Sequence, residues 1–365
     1  MSAISVDVVR ITTKAPGDVS GLLQLIAAGR IVPSDILAVM GKTEGNGGVN
    51  DFTREYAVAA LCQALAPHLG VPPAAVEARV AFVMSGGTEG VLSPHVTVFT
   101  RAQVDGTATL GKPKRLSIGI AHSRVFLPEE LGRSAQIEET VTAVHRAMDD
   151  AGISDAQDVH FVQIKCPLLT SDRVEAALSR GCGTVTTSAY GSMGYSRGAS
   201  ALGVALALGE IDSVRDDQVL KDFDLFSSVA STSAGIELMN NEVIVLGNSA
   251  ASVSPFVIGH AVMRDAIDLA AVQAAFESVD VVPGRGAAER LVNVLAKAEA
   301  SPGGTVRGFR HTMLEDSDIG STRHARAAVG GLIAGMAGCG AIYVSGGAEH
   351  QGPPGGGPIA VIARA

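Results

Sequence analysis

Apolar residues in this chain gather into short runs, and three of those runs stop at a lysine: "DILAVMGK" at Lys42, "DVHFVQIK" at Lys165 and "RLVNVLAK" at Lys297. Short apolar runs closed by polar and turn residues predict buried β-strands. Each lysine is followed, further on, by a hydroxylated residue, an arginine and an alanine-rich segment. These are "FTREYAVAALCQAL" with Arg54, "YSRGASALGVALAL" with Arg197 and "STRHARAAVGGLIAGM" with Arg323. Apolar positions recur there at helical spacing, and Gly and Ala permit close packing on a sheet. A third phrase completes the series: "VMSGGTEG", "STSAGIEL" and "YVSGGAEH". In each, a serine (Ser85, Ser233, Ser345) precedes two small residues and then, at the fourth position, a glutamate (Glu89, Glu237, Glu349). The β-rich stretches "HVTVFT", "EVIVLG" and "PIAVIAR" follow.

The order strand–lysine, arginine–helix, strand–serine, strand thus occurs three times, which predicts an α/β chain of three α+β repeats. Polar, turn-rich seams at "RAQVDGTATLGKPKR" and between Gly247 and Ser254 place the units at 1–104, 112–250 and 256–365.

Composition narrows the function classes. With 47% hydrophobic and 18% charged residues over 365 positions, the chain is globular rather than disordered. Its 43 glycines have no strict period, so they predict turns and close backbone approaches. A net charge of −9 without a basic stretch argues against nucleic acid and anionic membranes as partners and leaves a small molecule. Cys62, Cys166, Cys182 and Cys339 form no C-x-x-C pair, the N-terminus is too polar for a signal peptide, and no apolar stretch approaches about 20 residues. A reduced, cytoplasmic protein is expected.

The "GKT" at Gly41–Thr43 lacks the glycine a phosphate-binding loop needs, since Ile36 stands there. A lone Ser-Gly-Gly is usually a tight turn or anion-friendly nest, but three copies, each with a lysine and an arginine, favour binding. Small residues after the serine leave backbone N–H groups open to an oxyanion. A lysine ending an apolar run is pushed toward the neutral amine by partial burial, and a neutral lysine activates a serine hydroxyl. Arginine early in a helix is disfavoured by the helix dipole, so its recurrence points to a carbonyl or carboxylate held by the guanidinium. The histidines show no metal spacing. The C-terminal "AEHQGPPGGGP" reads as a rigid loop, or as carbonyls that hold a hard cation together with Glu299.

With these residues in place, the chain resembles the cyanuric acid hydrolase/barbiturase family of ring-opening amidohydrolases along essentially its whole length. The resemblance implies pseudo-threefold symmetry, with a barrel-like core, helices outside and one active site on the axis. It implies Ser233 as nucleophile and Lys165 as its base. Arg54, Ser85, Gly86, Arg197, Ser233, Ala234, Arg323, Ser345 and Gly346 would bind substrate, with Lys42 and Lys297 supporting the other two serines. Ser231 stands as an alternative to Ser233, and Arg326 to Arg323. The family further implies a homotetramer, no organic cofactor, and a structural Mg²⁺ or Ca²⁺ on Glu299, Ala348, Gln351, Gly352, Pro353 and Gly356. The expected substrate is cyanuric acid, opened to carboxybiuret. Barbituric acid, with Thr322 and His324 as discriminating residues, and a non-enzymatic heterocycle binder are the rivals.

Overall fold

The computed structural model describes residues 2–105, 113–283, 287 and 289–365. The first sheet is built from β1 (Ser2–Thr12), β2 (Ile36–Thr43), β3 (Ala81–Gly86) and β4 (His95–Asp105). The second uses β5 (Arg115–His122), β6 (Val159–Pro167), β7 (Ala230–Gly235) and β8 (Glu242–Ser249). The third uses β9 (Phe256–Met263), β10 (Leu291–Ala298), β13 (Tyr343–Gly346) and β14 (Gly357–Arg364); the small hairpin β11 (Thr305–Val306) and β12 (Phe309–Arg310) stands apart. Strand order is β1-β4-β2-β3, β5-β8-β6-β7 and β9-β14-β10-β13. In every sheet the first two neighbouring pairs are antiparallel and the last is parallel.

Among the described residues seven α-helices accompany them: α1 (Ser20–Ala27), α2 (Phe52–Leu69), α3 (Ser134–Ala151), α4 (Ser171–Ser179), α5 (Ala189–Ala207), α6 (Leu269–Glu277) and α7 (Ser321–Ala337). The Asp51 carboxylate caps α2 by accepting from Thr53 N–H, and Gly70 closes the helix in the left-handed region at φ 64°, where glycine carries no Cβ penalty. None of the described helices is long and apolar enough to cross a membrane.

Side-chain alternation divides each sheet between two cores. Met40, Phe99, Ile118, Phe161, Ile258, Leu295 and Tyr343, drawn from all three sheets, meet in one central apolar cluster. The opposite faces pack outward under helices: Val39 and Phe82 with Leu61 and Leu65 of α2, Val162 and Val245 with Val144 of α3, Val294 and Val361 with Val329 of α7. Three sheets round a shared core, helices outside, is therefore the arrangement. No continuous ladder closes it into a barrel; a lone bridge at Ile4 and Ser252 is the only strand-like link outside the named strands among the described residues. The expected barrel-like core is accordingly three separate four-stranded sheets.

Candidate active site

The period of two along a strand decides where the lysines go. Lys42 follows Met40, and Lys297 follows Leu295, by two residues, so both share the inner face with those core side chains. Parallel pairing then sets each lysine directly beside a serine: Lys42 opposite Ser85, Lys165 opposite Ser233 and Lys297 opposite Ser345. The serines end β3, β7 and β13 around a tight cavity lined by Arg54, Ser85, Gly86, Arg197, Ser233, Ala234, Arg326, Ser345 and Gly346. Ser233 Oγ lies 3.3 Å from Ser345 Oγ, although 112 residues separate them. A vestibule of about 310 Å³, bounded by Tyr190, Thr322 and Arg323, shares Arg197, Arg326 and Gly346 with this cavity.

The three lysines differ. Lys42 Nζ donates to Ser85 Oγ at 3.0 Å, and burial, then Arg326, holds its pKa well below the ordinary lysine value. Lys297 Nζ reaches Ser345 Oγ (3.2 Å), Thr232 O (2.7 Å) and Gly346 O (3.0 Å). Burial, then Arg197, brings it down to about 7. Lys165 makes no such bond to Ser233; its ion-pair contact among the described residues is Glu237 Oε1 at 3.8 Å. It also borders a separate lateral cavity of about 440 Å³, together with Glu55, Cys62, Glu77 and Glu237. Ser233 is half-buried, whereas Ser85 and Ser345 are buried.

The arginines run round the site in one sense. Arg54 Nη1 approaches Ala234 O at 3.5 Å, Arg197 forms a two-pronged pair with Glu349 (2.7 and 2.5 Å), and Arg326 forms one with Glu89 (2.8 and 2.5 Å). Burial alone would raise both glutamates; the guanidiniums overcome it and hold Glu89 and Glu349 below the usual carboxylate value. Arg54 Nε is buried with no hydrogen bond, and its carboxylate contact, Asp51, stands 4.0 Å away.

Two alternatives from the sequence are separated by position. Arg323, expected at the cavity, is half-exposed and stops at the vestibule, 3.5 Å from Glu89; Arg326, one helical turn on, is buried and lines the cavity. The two arginines lie three residues apart on α7, and Arg326 is on the face that the helix buries. Ser231 is fully buried and donates to Gln163 Oε1 at 2.8 Å, away from the cavity that Ser233 lines. Thr322 lines the vestibule, while His324 lies 3.0 Å from Asp316. Sequence reasoning missed Tyr343. Its buried hydroxyl faces the Ser85 and Ser233 hydroxyls without a well-formed bond to either, at the inner end of the site. The signal was available, for Tyr343 lies two residues before Ser345 on the same strand face.

Of the groups expected to hold a cation, Glu299 lies just after β10, and burial, then Glu349, pushes its carboxyl upward. The Gln351 side chain is spent on Thr232 N, Gly347 O and Glu349 O, leaving its carbonyl and those of the loop as donors. No cluster of three or more His, Cys, Asp or Glu that would hold a metal occurs among the described residues.

Comparison with known proteins fits this geometry. The family model described as an amidohydrolase ring-opening protein matches residues 7–364. A cyanuric acid amidohydrolase of Bradyrhizobium diazoefficiens is 72% identical, covering 100% of this chain and 99% of the relative. One from Pseudomonas sp. (strain ADP) is 61% identical, covering 99% of each. A cyclic amide hydrolase of Azorhizobium caulinodans is 50% identical over 99% of this chain and 100% of its own. A solved cyanuric acid hydrolase superimposes with a TM-score of 0.95 at 60% identity, covering the whole of both chains.

Proposed function

The chain belongs to the ring-opening amidohydrolase family, and from that premise we propose that it hydrolyses cyanuric acid to carboxybiuret. The observation that carries this is the convergence of three lysine–serine pairs and three arginines on one cavity. Cyanuric acid offers three equivalent carbonyls, and a site with three equivalent donor sets matches it edge for edge. The shared strand order of the sheets supports reading the chain as three repeats, 1–104, 112–250 and 256–365, related by pseudo-threefold symmetry.

Ser233 is the nucleophile in this reading. It is the least buried of the three serines, and Lys165 is the lysine not already hydrogen-bonded to its serine. Ser233 Oγ attacks a ring carbonyl carbon while Lys165 takes the hydroxyl proton. Backbone N–H groups hold the tetrahedral oxyanion, where one donor is worth roughly 3 kcal/mol. Collapse breaks the ring C–N bond, Lys165 returns the proton to the leaving nitrogen, and water then hydrolyses the acyl-enzyme. Ser85 and Ser345, with Lys42 and Lys297, hold the other two carbonyls, while Arg54, Arg197 and Arg326 fix the ring edges. Glu299 and the carbonyls of Ala348, Gln351, Gly352, Pro353 and Gly356 would hold a structural Mg²⁺ or Ca²⁺, which would supply positive charge between the end of β10 and the loop after β13.

The test is ring opening of cyanuric and barbituric acids followed by ultraviolet absorbance. Turnover of cyanuric acid is expected, falling about 10³-fold or more in Ser233→Ala and far less in Ser85→Ala. Turnover of barbituric acid alone would keep the dyad and replace the substrate.

A further inference from the structure

Each of the three Ser-x-x-x-Glu phrases places a glutamate four residues after its serine, and two of those glutamates have the same task. Glu89 grips Arg326, 237 residues away, and Glu349 grips Arg197, 152 residues away, each through two hydrogen bonds. By the same sense of rotation Glu237 should grip Arg54. It does not: its carboxylate lies by Lys165 Nζ instead, and Arg54 Nε is left bare. The backbone explains the switch. Gly87 and Gly347, two residues after their serines, adopt φ of 108° and 75°, and the incoming guanidinium packs where a Cβ would stand. The matching Gly235 is outside the left-handed region, and the space its missing Cβ leaves is filled by the Glu237 carboxylate itself. The middle loop therefore carries its own glutamate back to its own lysine.

We infer that Glu237 is a positioning residue for Lys165, the third member of a Ser233–Lys165–Glu237 relay. This rests on the Ser233–Lys165 reading above. When Lys165 takes the serine proton, an ammonium forms; Glu237 stabilises that cation and fixes the direction of Nζ, as the carboxylate of a serine-protease triad does for its histidine. No group is transferred to Glu237, and it does not touch the substrate. The lateral cavity fits this division, since Lys165 and Glu237 both line it and neither lines the vestibule. The other charged groups near Lys165 are Glu242, its cross-strand neighbour on β8, Glu55 on α2 and Glu77 across the cavity.

Glu237→Gln, Glu237→Asp, Lys165→Ala and Ser233→Ala are to be compared on cyanuric acid over a range of pH. Glu237→Gln should lower kcat about 10- to 100-fold with KM within about twofold, and Glu237→Asp should recover part of the loss. A second readout needs no turnover: acylation of Lys165 by acetic anhydride, read by peptide mass spectrometry, should be faster at a fixed pH in Glu237→Gln, because a neighbouring anion favours the unreactive ammonium. If Lys165→Ala is inactive while Glu237→Gln matches the wild type in kcat and labelling, this inference alone falls. If Lys165→Ala or Ser233→Ala keeps wild-type turnover, the dyad reading falls and takes the relay with it.

Discussion

The loops after β3 and β13 and the loop after β7 start from the same sequence phrase and finish in different chemistry. In the outer pair, glutamate is spent on a neighbour's arginine, the serine is already bonded to its lysine, and both groups are buried. In the middle loop the serine is half-buried and its lysine, among the described residues, has Glu237 as its ion-pair contact. Threefold binding needs three similar loops, whereas nucleophilic attack at one carbonyl needs only one serine with an unoccupied base beside it. The divergence accompanies a different backbone angle at Gly235, which lies outside the left-handed region that Gly87 and Gly347 adopt.

The comparison breaks most visibly where the outer loops depend on their buried pairs. Glu349→Gln leaves the Arg197 guanidinium buried without its counter-charge, and removing one partner of such a pair costs about 3 kcal/mol or more. Chemical denaturation should show that loss for Glu349→Gln and a much smaller one for Glu237→Gln, whose partner stands 3.8 Å off. Equal losses would mean that the middle loop is held like the others. The lysines offer a smaller, pH-dependent contrast. The folded-state pKa of Lys42 lies well below the 10.5 of an ordinary lysine. Between those values the unfolded chain binds more protons, so this residue makes stability rise with pH, by at most about 1.4 kcal/mol per unit. The contribution is lowest below the folded value, where both states are charged, and Lys42→Met should flatten the slope. Least of all, Ser231→Ala should cost about 1 kcal/mol by orphaning Gln163 Oε1 and leave kcat unchanged. A large loss of turnover there would return the nucleophile to Ser231.

Much of this was legible in the sequence because strand period and run length are local properties. An apolar run ending in lysine and a strand ending in serine, repeated three times, already imply inner-face lysines beside serines once the strands pair. Local pattern fails where two residues occupy the same face. Ser231 and Ser233 are two apart on a strand, and Arg323 and Arg326 are three apart on a helix, so alternation and helical spacing admit both members of each pair. Only the depth of each position relative to the cavity separates them. Tyr343 was legible by alternation, two residues before Ser345 on the same strand face, but its hydroxyl's place beside Ser85 and Ser233 is set by the fold.

The sequence by itself determined that the chain is three α/β phrases carrying lysine, arginine, serine and glutamate in fixed order, since those choices are made by neighbours within a few residues. Tertiary structure alone decided which glutamate meets which cation, because Glu89 and Glu349 reach arginines 237 and 152 residues away, which meet them only when three sheets close on one core. The glycine two residues after each serine is identical in all three phrases. What stands in its missing Cβ space differs: a guanidinium from another repeat at Gly87 and Gly347, and the loop's own Glu237 carboxylate at Gly235.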